Sequence, residues 1–251
     1  MMRIEITLHS DLPIVLPKGH NHILQAFVYR LFDPLLRSFL HDRGYAHEKR
    51  KFRLFTFSRL QGVFKQAQDT ISFQPPVSLC ISSPKNEILQ SLAEGLFREE
   101  TYVLGKNRVY VNSINVLPRP QWKEEIIVRM LSPVTVYSTL FKKDGGKKTY
   151  YYAPQEEEFS RLIAENLKKK YIAHKGDVPA DFDFHISAHR VRPQDQKVIL
   201  YAKDKQRPTV IKGWMGQYKL RAAAEILEFA YDTGIGSKNS QGFGCFLTGQ
   251  I

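Results

Sequence analysis

The chain has 251 residues, with 37 Lys and Arg against 25 Asp and Glu, a formal net charge of +12 and a pI near 9.6. Such a length accommodates one large domain or two of roughly 100–150 residues, and the positive balance favours a polyanionic partner. A membrane is disfavoured, because no apolar run approaches the roughly 18 residues of a spanning helix and no basic amphipathic helix stands out.

The opening Met1-Met2-Arg3-Ile4-Glu5-Ile6 places a carboxylate where a signal peptide needs its apolar core, so a cytoplasmic protein is expected. Cys80 and Cys245 lie in apolar, strand-like runs, which favours buried free thiols over a disulfide or a metal pair. Arg3 to Leu8 alternates as a half-buried strand, and Asp11 to Pro17 reads as a Pro-bounded loop. A helix follows, capped by Asn21 and striped by Ile23, Phe27, Val28 and Leu31, and Asp33-Pro34 breaks it before a second short helix that His41 closes. Phe52 to Phe57 reads as a strand, and Thr70 to Phe73 and Val77 to Ile81 as two strands separated by Pro75-Pro76. A helix from about Lys85 to Arg98, with Ile88, Leu89, Leu92 and Leu96 inward, and a strand from Val109 to Val116 complete a βαββαβ order, that of a ferredoxin-like domain over residues 1–118. Pro118-Arg119-Pro120 is the expected linker.

The second half, residues 122–251, repeats the pattern without repeating the sequence. Ile126 to Leu131 and Val134 to Leu140 read as strands, and a hairpin turns at Asp144-Gly145-Gly146 between Lys142-Lys143 and Lys147-Lys148. A helix starting near Pro154 has the stripe Phe159, Leu162, Ile163, Asn166 and Leu167, with Lys168 to Lys170 expected on its outer face. Phe182 to Val191, Val198 to Tyr201 and Pro208 to Trp214 read as strands; a last helix is striped by Leu220, Ala223, Ala224, Leu227, Ala230 and Tyr231. Then come Gly234-Ile235-Gly236-Ser237-Lys238-Asn239-Ser240-Gln241-Gly242-Phe243-Gly244 and a short strand, Cys245 to Leu247. The helix-loop-strand order excludes a dinucleotide fingerprint, which needs the strand first. Paired glycines allow positive φ or close backbone approach, and either a tight connection or an amide nest with Lys238 at its centre would use them.

This glycine loop, with Lys238-Asn239-Ser240 inside it, resembles the C-terminal loop of the CRISPR-associated repeat endoribonucleases, RAMP-superfamily enzymes that cut precursor CRISPR RNA within its repeats. A second matching segment runs from His20 through Phe39-Leu40-His41-Asp42 to Arg53-Leu54-Phe55-Thr56-Phe57-Ser58. The resemblance implies two tandem ferredoxin-like α+β domains and a cleavage site made of a helical tyrosine, Tyr29, a histidine ending the next short helix, His41, and a basic residue at the following strand. The family commonly has lysine at that last place, where this chain has Arg53, with Lys51 two residues earlier on the same strand face, so both are candidates. The implied partner is CRISPR repeat RNA, with a CRISPR effector complex and a homodimer as further partners, no membrane and no cofactor. For RNA contact the candidates are Gly234, Gly236, Lys238, Asn239, Gly242 and Gly244, with Lys142, Lys143, Lys147 and Lys148 of the hairpin and Arg190 and Arg192.

These residue types suit metal-free RNA cleavage, in which the ribose 2′-OH attacks the adjacent phosphate and leaves a 2′,3′-cyclic phosphate and a 5′-OH. Histidine titrates near neutrality and serves either proton transfer, while tyrosine and lysine or arginine hold developing charge. The bland alternatives are specific too: His41 as a helix-end cap, Tyr29 as a packing residue, Lys49-Arg50-Lys51 as a solvated run. His20, His22 and His47 rank below His41, and no His, Cys, Asp or Glu spacing suggests a metal. A repeat-binding relative that cuts weakly or not at all is the competing reading.

Overall fold

The computed structural model describes residues 2–141, 145–201 and 209–249, so Lys142 and Lys143 lie outside the described residues. The chain opens with β1 (Met2–His9), β2 (Ile14–Pro17), α1 (Asn21–Leu31) and α2 (Pro34–Ser38), the last running into a π-helical turn, Phe39–Arg43. A small hairpin, β3 (Tyr45–His47) and β4 (Arg50–Phe52), leads to β5 (Thr56–Phe57), β6 (Gln61–Gln66) and β7 (Thr70–Ser83). Then follow α3 (Asn86–Gly95), β8 (Tyr102–Leu104) and β9 (Asn107–Leu117). Central β1 lies between β7 and β9, and β5 and β6 pair with β7, so the four ferredoxin positions stand in the order 2-3-1-4. Ile4, Ile6 and Leu8 of β1 meet Leu24, Phe27, Val28 and Leu31 of α1 and Ile88, Leu89 and Leu92 of α3 in one core.

The second half contains β10 (Glu125–Met130), the hairpin β11 (Tyr137–Phe141) and β12 (Lys147–Tyr151), and α4 (Glu157–Lys175). It continues with β13 (Phe184–Arg190), the hairpin β14 (Gln196–Tyr201) and β15 (Thr209–Trp214), β16 (Gln217–Ala222), α5 (Ala224–Thr233) and β17 (Phe246–Thr248). Its sheet runs β13-β16-β10-β17, again 2-3-1-4, and its core sets Val128 and Met130 against Phe159, Ile163 and Leu167 of α4 and Ile226, Leu227 and Ala230 of α5. Two ferredoxin-like α+β units in tandem are therefore the fold, as the element order implied.

Several local readings change. Phe52 to Phe57 is not one strand: Leu54 takes φ 52°, a conformation L-residues rarely adopt, and the bend sends its side chain into the second core while Phe55 and Phe57 enter the first. Thr70 to Ile81 is one strand rather than two, and part of the expected loop from Asp11 to Pro17 is β2, paired with β7. Leu220 belongs to β16, one element before the helix it was grouped with. Asn21 starts α1 but does not cap it; its Nδ2 donates to Gln241 O at 3.1 Å and Gly242 O at 3.2 Å in the glycine loop.

The two units meet through polar as well as apolar contacts. Arg3, 2% exposed, donates to the Phe246 and Tyr231 carbonyls and lies over the Tyr231 ring. Thr56 Oγ1 donates to Phe243 O at 3.0 Å, and the free thiols Cys80 and Cys245 are both buried beside Leu131. Buried guanidinium, hydroxyl and amide groups thus donate to carbonyls of the C-terminal segment, which fixes where the glycine loop sits.

Candidate active site

The first wall of the site is α2 with the π turn that continues it. Asp33 caps α2 through Oδ1, which accepts from Leu36 N at 3.0 Å, and Pro34 occupies the first helical turn where no N–H is needed. The π turn that follows leaves its last carbonyls without intrahelical partners, and the next basic residues satisfy them. Arg53 donates from Nε to Leu40 O and from Nη2 to His41 O, both at 2.7 Å, and from Nη1 to Lys51 O at 3.1 Å. Lys51 Nζ donates to Asp42 O at 2.9 Å. Gly44 ends the turn at φ 63°, where a Cβ would stand 2.5 Å from Phe52 O.

His41 is held on this frame with its side chain exposed, and its Nδ1 lies 2.6 Å from Asp42 Oδ1. Hydrogen bonds from His41 and then Ser38 hold the Asp42 carboxyl below its usual pKa, so it is an ionised acceptor and Nδ1 carries the proton. That tautomer leaves Nε2 free for proton transfer. Tyr29 projects from α1, its ring packed on Phe32 and Phe55 with centroids 5.7 and 5.8 Å away. Burial raises its hydroxyl pKa, while Arg53 and Ser240 pull the other way; the group stays an O–H donor at neutral pH.

The glycine loop makes the opposite wall. Gly234, Gly236, Gly242 and Gly244 all have positive φ, and all are buried. A Cβ on Gly244 would stand 1.9 Å from Ile235 O, and one on Gly242 2.7 Å from the Phe57 ring, so close approach rather than ligand contact is what these two require. The amides of Gly234, Ile235, Ser237, Gln241, Gly242 and Gly244 donate to protein carbonyls, which leaves little of the expected anion nest. Lys238 sits at φ 62° with Nζ over the Tyr137 ring at 5.3 Å, and partial burial lowers its pKa.

Beneath the loop lies a residue the sequence places wrongly. Lys170, expected on an outer helix face with Lys168 and Lys169, is 2% exposed. Its Nζ donates to Gly234 O, to Gly236 O at 3.4 Å and to Asn239 Oδ1 at 3.1 Å. Burial pulls its pKa down to about 7, while three acceptors matching the three N–H groups of an ammonium act in the other direction. Lys168 is exposed, and Lys169 pairs with Glu48.

Between the walls is a cleft of about 1430 Å³, and Tyr29, His41, Lys51, Arg53, Gly236, Lys238 and Asn239 all line it. Gly234, Gly242 and Gly244 do not reach it, nor do the exposed Lys147, Lys148, Arg190 and Arg192, the last of which faces Asp195. Of the rival histidines, His20 is 3% exposed, bonds to Pro17 O, and has its pKa lowered by burial to about 4; His22 lines the cleft. Asp42, Ser240 and Lys170 were missed as contributors. Lys170 falls on the buried stripe of α4, four residues after Asn166, and that position was the available signal. Among the described residues no three His, Cys, Asp or Glu side chains gather as a metal site, and no helix is long and apolar enough to cross a membrane.

Paired ferredoxin-like units with a glycine loop closing a basic cleft are the architecture that the resemblance implied, and comparison with known proteins shows the family. Residues 15–115 match the family model for CRISPR-associated protein Cas6, N-terminal, and residues 117–247 that for CRISPR associated protein Cas6, C-terminal. A Methanocaldococcus jannaschii protein named CRISPR-associated endoribonuclease Cas6 1 is 31% identical, with 97% of this chain and 91% of that protein covered. A solved structure described as CRISPR associated protein Cas6 superposes with a TM-score of 0.79 at 26% identity, covering 99% of both chains. One from work on a Cas6-related gene of Pyrococcus furiosus reaches 0.84 at 25%, over 99% of this chain and 98% of that one. The chain belongs to the Cas6 family.

Proposed function

We propose that the protein is an endoribonuclease that binds CRISPR repeat RNA and cuts precursor CRISPR RNA within the repeat, without a metal, by attack of a ribose 2′-OH. The observation that carries this reading is the convergence of a free His41 Nε2, the Tyr29 hydroxyl and the Lys51 and Lys238 ammonium groups on one cleft. The name of the M. jannaschii relative supports the activity and the CRISPR association.

In this reaction the 2′-oxygen loses its proton and bonds to phosphorus while the P–O5′ bond breaks, and the departing O5′ takes a proton. His41 makes one of those transfers through Nε2, with Asp42 fixing the ring and its tautomer. Tyr29 donates to the phosphoryl oxygens, and Lys51 neutralises the charge that builds on them. Arg53, whose guanidinium is committed to three backbone carbonyls, positions His41. Metal independence is supported by the donor set: among the described residues Asp42 is the one carboxylate lining the cleft, and it is bonded to His41 and Ser38. Lys238 draws the RNA backbone in, and Lys147, Lys148, Arg190 and Arg192 extend the positive surface beyond the cleft. The check is to cut repeat RNA in excess EDTA and analyse the ends. A 2′,3′-cyclic phosphate and a 5′-OH are expected; loss of cleavage in EDTA, or 5′-phosphate ends, would overturn the mechanism.

A further inference from the structure

The cleft floor carries polar atoms that the protein leaves unmatched. Asn166 Oδ1 and Thr233 Oγ1 are buried without a hydrogen-bond partner, on residues 8% and 0% exposed, and so is Gln241 Oε1 of the glycine loop. All three residues line the cleft. Native proteins rarely strand buried acceptors, and three of them on residues that line one cleft call for partners that the protein does not supply. The contrast with Asn239 is instructive. Its Nδ2 donates to Ile235 O and Phe243 O, both at 3.0 Å, and its Oδ1 accepts from Lys170, so that amide holds the loop together. Asn166, one helical turn before Lys170 on the same face of α4, has no such task; an apolar residue would suit its place among Ile163 and Leu167.

We propose that Asn166, with Thr233 and Gln241, forms a base-reading pocket that selects a nucleobase carrying an exocyclic amino group, adenine before the others. This rests on the reading of the protein as an RNA-cleaving enzyme. Phosphate oxygens only accept and so leave Asn166 Oδ1 and Gln241 Oε1 unmatched; the phosphates belong with Lys238, and a base edge that offers an N–H belongs here. Uracil presents one N–H between two carbonyls. Adenine presents an amino group beside a ring nitrogen on two edges, N6 with N7 and N6 with N1, and cytosine on one, N4 with N3; each such pair matches the oxygen and N–H₂ of a carboxamide in a two-point fork. Thr233 and Gln241 then accept or bridge at the remaining edge.

The test uses the repeat RNA of the source organism with each adenosine replaced in turn by purine riboside, which lacks only the amino group, cut by wild type and by Asn166→Leu. At one position near the scissile phosphate wild type should lose roughly 10- to 100-fold in kcat/KM, the range of one bidentate amide–base pair, and Asn166→Leu should cut both RNAs alike. The variant should also melt at or above the wild-type temperature, because an apolar isostere removes an unpaired acceptor. Asn166→Ala, which adds no bulk, repeats the comparison should Leu fail to fold. A wild type that ignores the amino group at every position, or discrimination that survives both variants, overturns the pocket and leaves the nuclease reading standing. A wild type that cuts none of the RNAs overturns both.

Discussion

His41→Ala is expected to slow cleavage of repeat RNA by roughly 10²–10⁴-fold, the usual contribution of one positioned acid or base, while repeat affinity changes little. The reasoning is geometric. His41 is exposed on a turn whose backbone carbonyls are held by Arg53 and Lys51, so removing the imidazole leaves the frame intact. A histidine serving only as a helix-end cap would give the opposite pattern, with a lower melting temperature and near-normal rate. Asp42→Asn should fall between wild type and His41→Ala, because the amide can still bond to the ring but no longer fixes the tautomer. Single-turnover rates and filter-binding affinities for the three proteins separate these cases.

Lys170→Met should destabilise the fold by on the order of 3 kcal/mol, since three buried acceptors lose their donor. In a chain of this size that lowers the melting temperature by roughly 5–10 °C. Cleavage should fall as well, because Gly234, Gly236 and Asn239 are the points where α4 grips the loop that carries Lys238 and Ser240. The pH dependence gives a separate check. With its pKa lowered from 10.5 to about 7 by burial, Lys170 sheds its proton in the folded chain well before the unfolded chain does. Between those values the unfolded state binds more protons, so this residue makes stability rise with pH from about 7 towards 10.5, and adds no slope below about 7 where both states are protonated. Denaturant melts across that range should show a shallower rise in Lys170→Met. An unchanged midpoint at pH 7 would mean that Lys170 does not hold the loop.

Much of the fold is legible because each core-facing element has its own period: Ile4, Ile6 and Leu8 alternate, and Phe159, Ile163 and Leu167 recur at helical spacing. The errors fall where one segment serves two cores or none. Leu54 breaks an apolar run that reads as a continuous strand, because the second unit claims its side chain. β6 has no alternation to read, since nearly all of it is exposed.

The site divides in the same way. Tyr29, His41, Lys51 and Arg53 follow from the family resemblance and not from the residues taken alone, and all four line one cleft. The residue that anchors the loop is hidden in Lys168-Lys169-Lys170, which looks like a solvated run; only the folded loop brings three oxygens to the last of them. The glycines announce a special backbone, but whether it faces a ligand or a neighbouring strand depends on Thr135, Phe57 and Asn21, all distant in sequence.

The most direct test of the account is one substrate: repeat RNA with 2′-deoxyribose at the single nucleotide before the scissile phosphate, incubated with wild-type protein in EDTA. Attack by the 2′-OH predicts that this RNA is bound as tightly as the all-ribose RNA and is not cut at that phosphate. Cleavage there at a comparable rate would show that another nucleophile does the work, and His41, Tyr29 and Lys51 would need different roles.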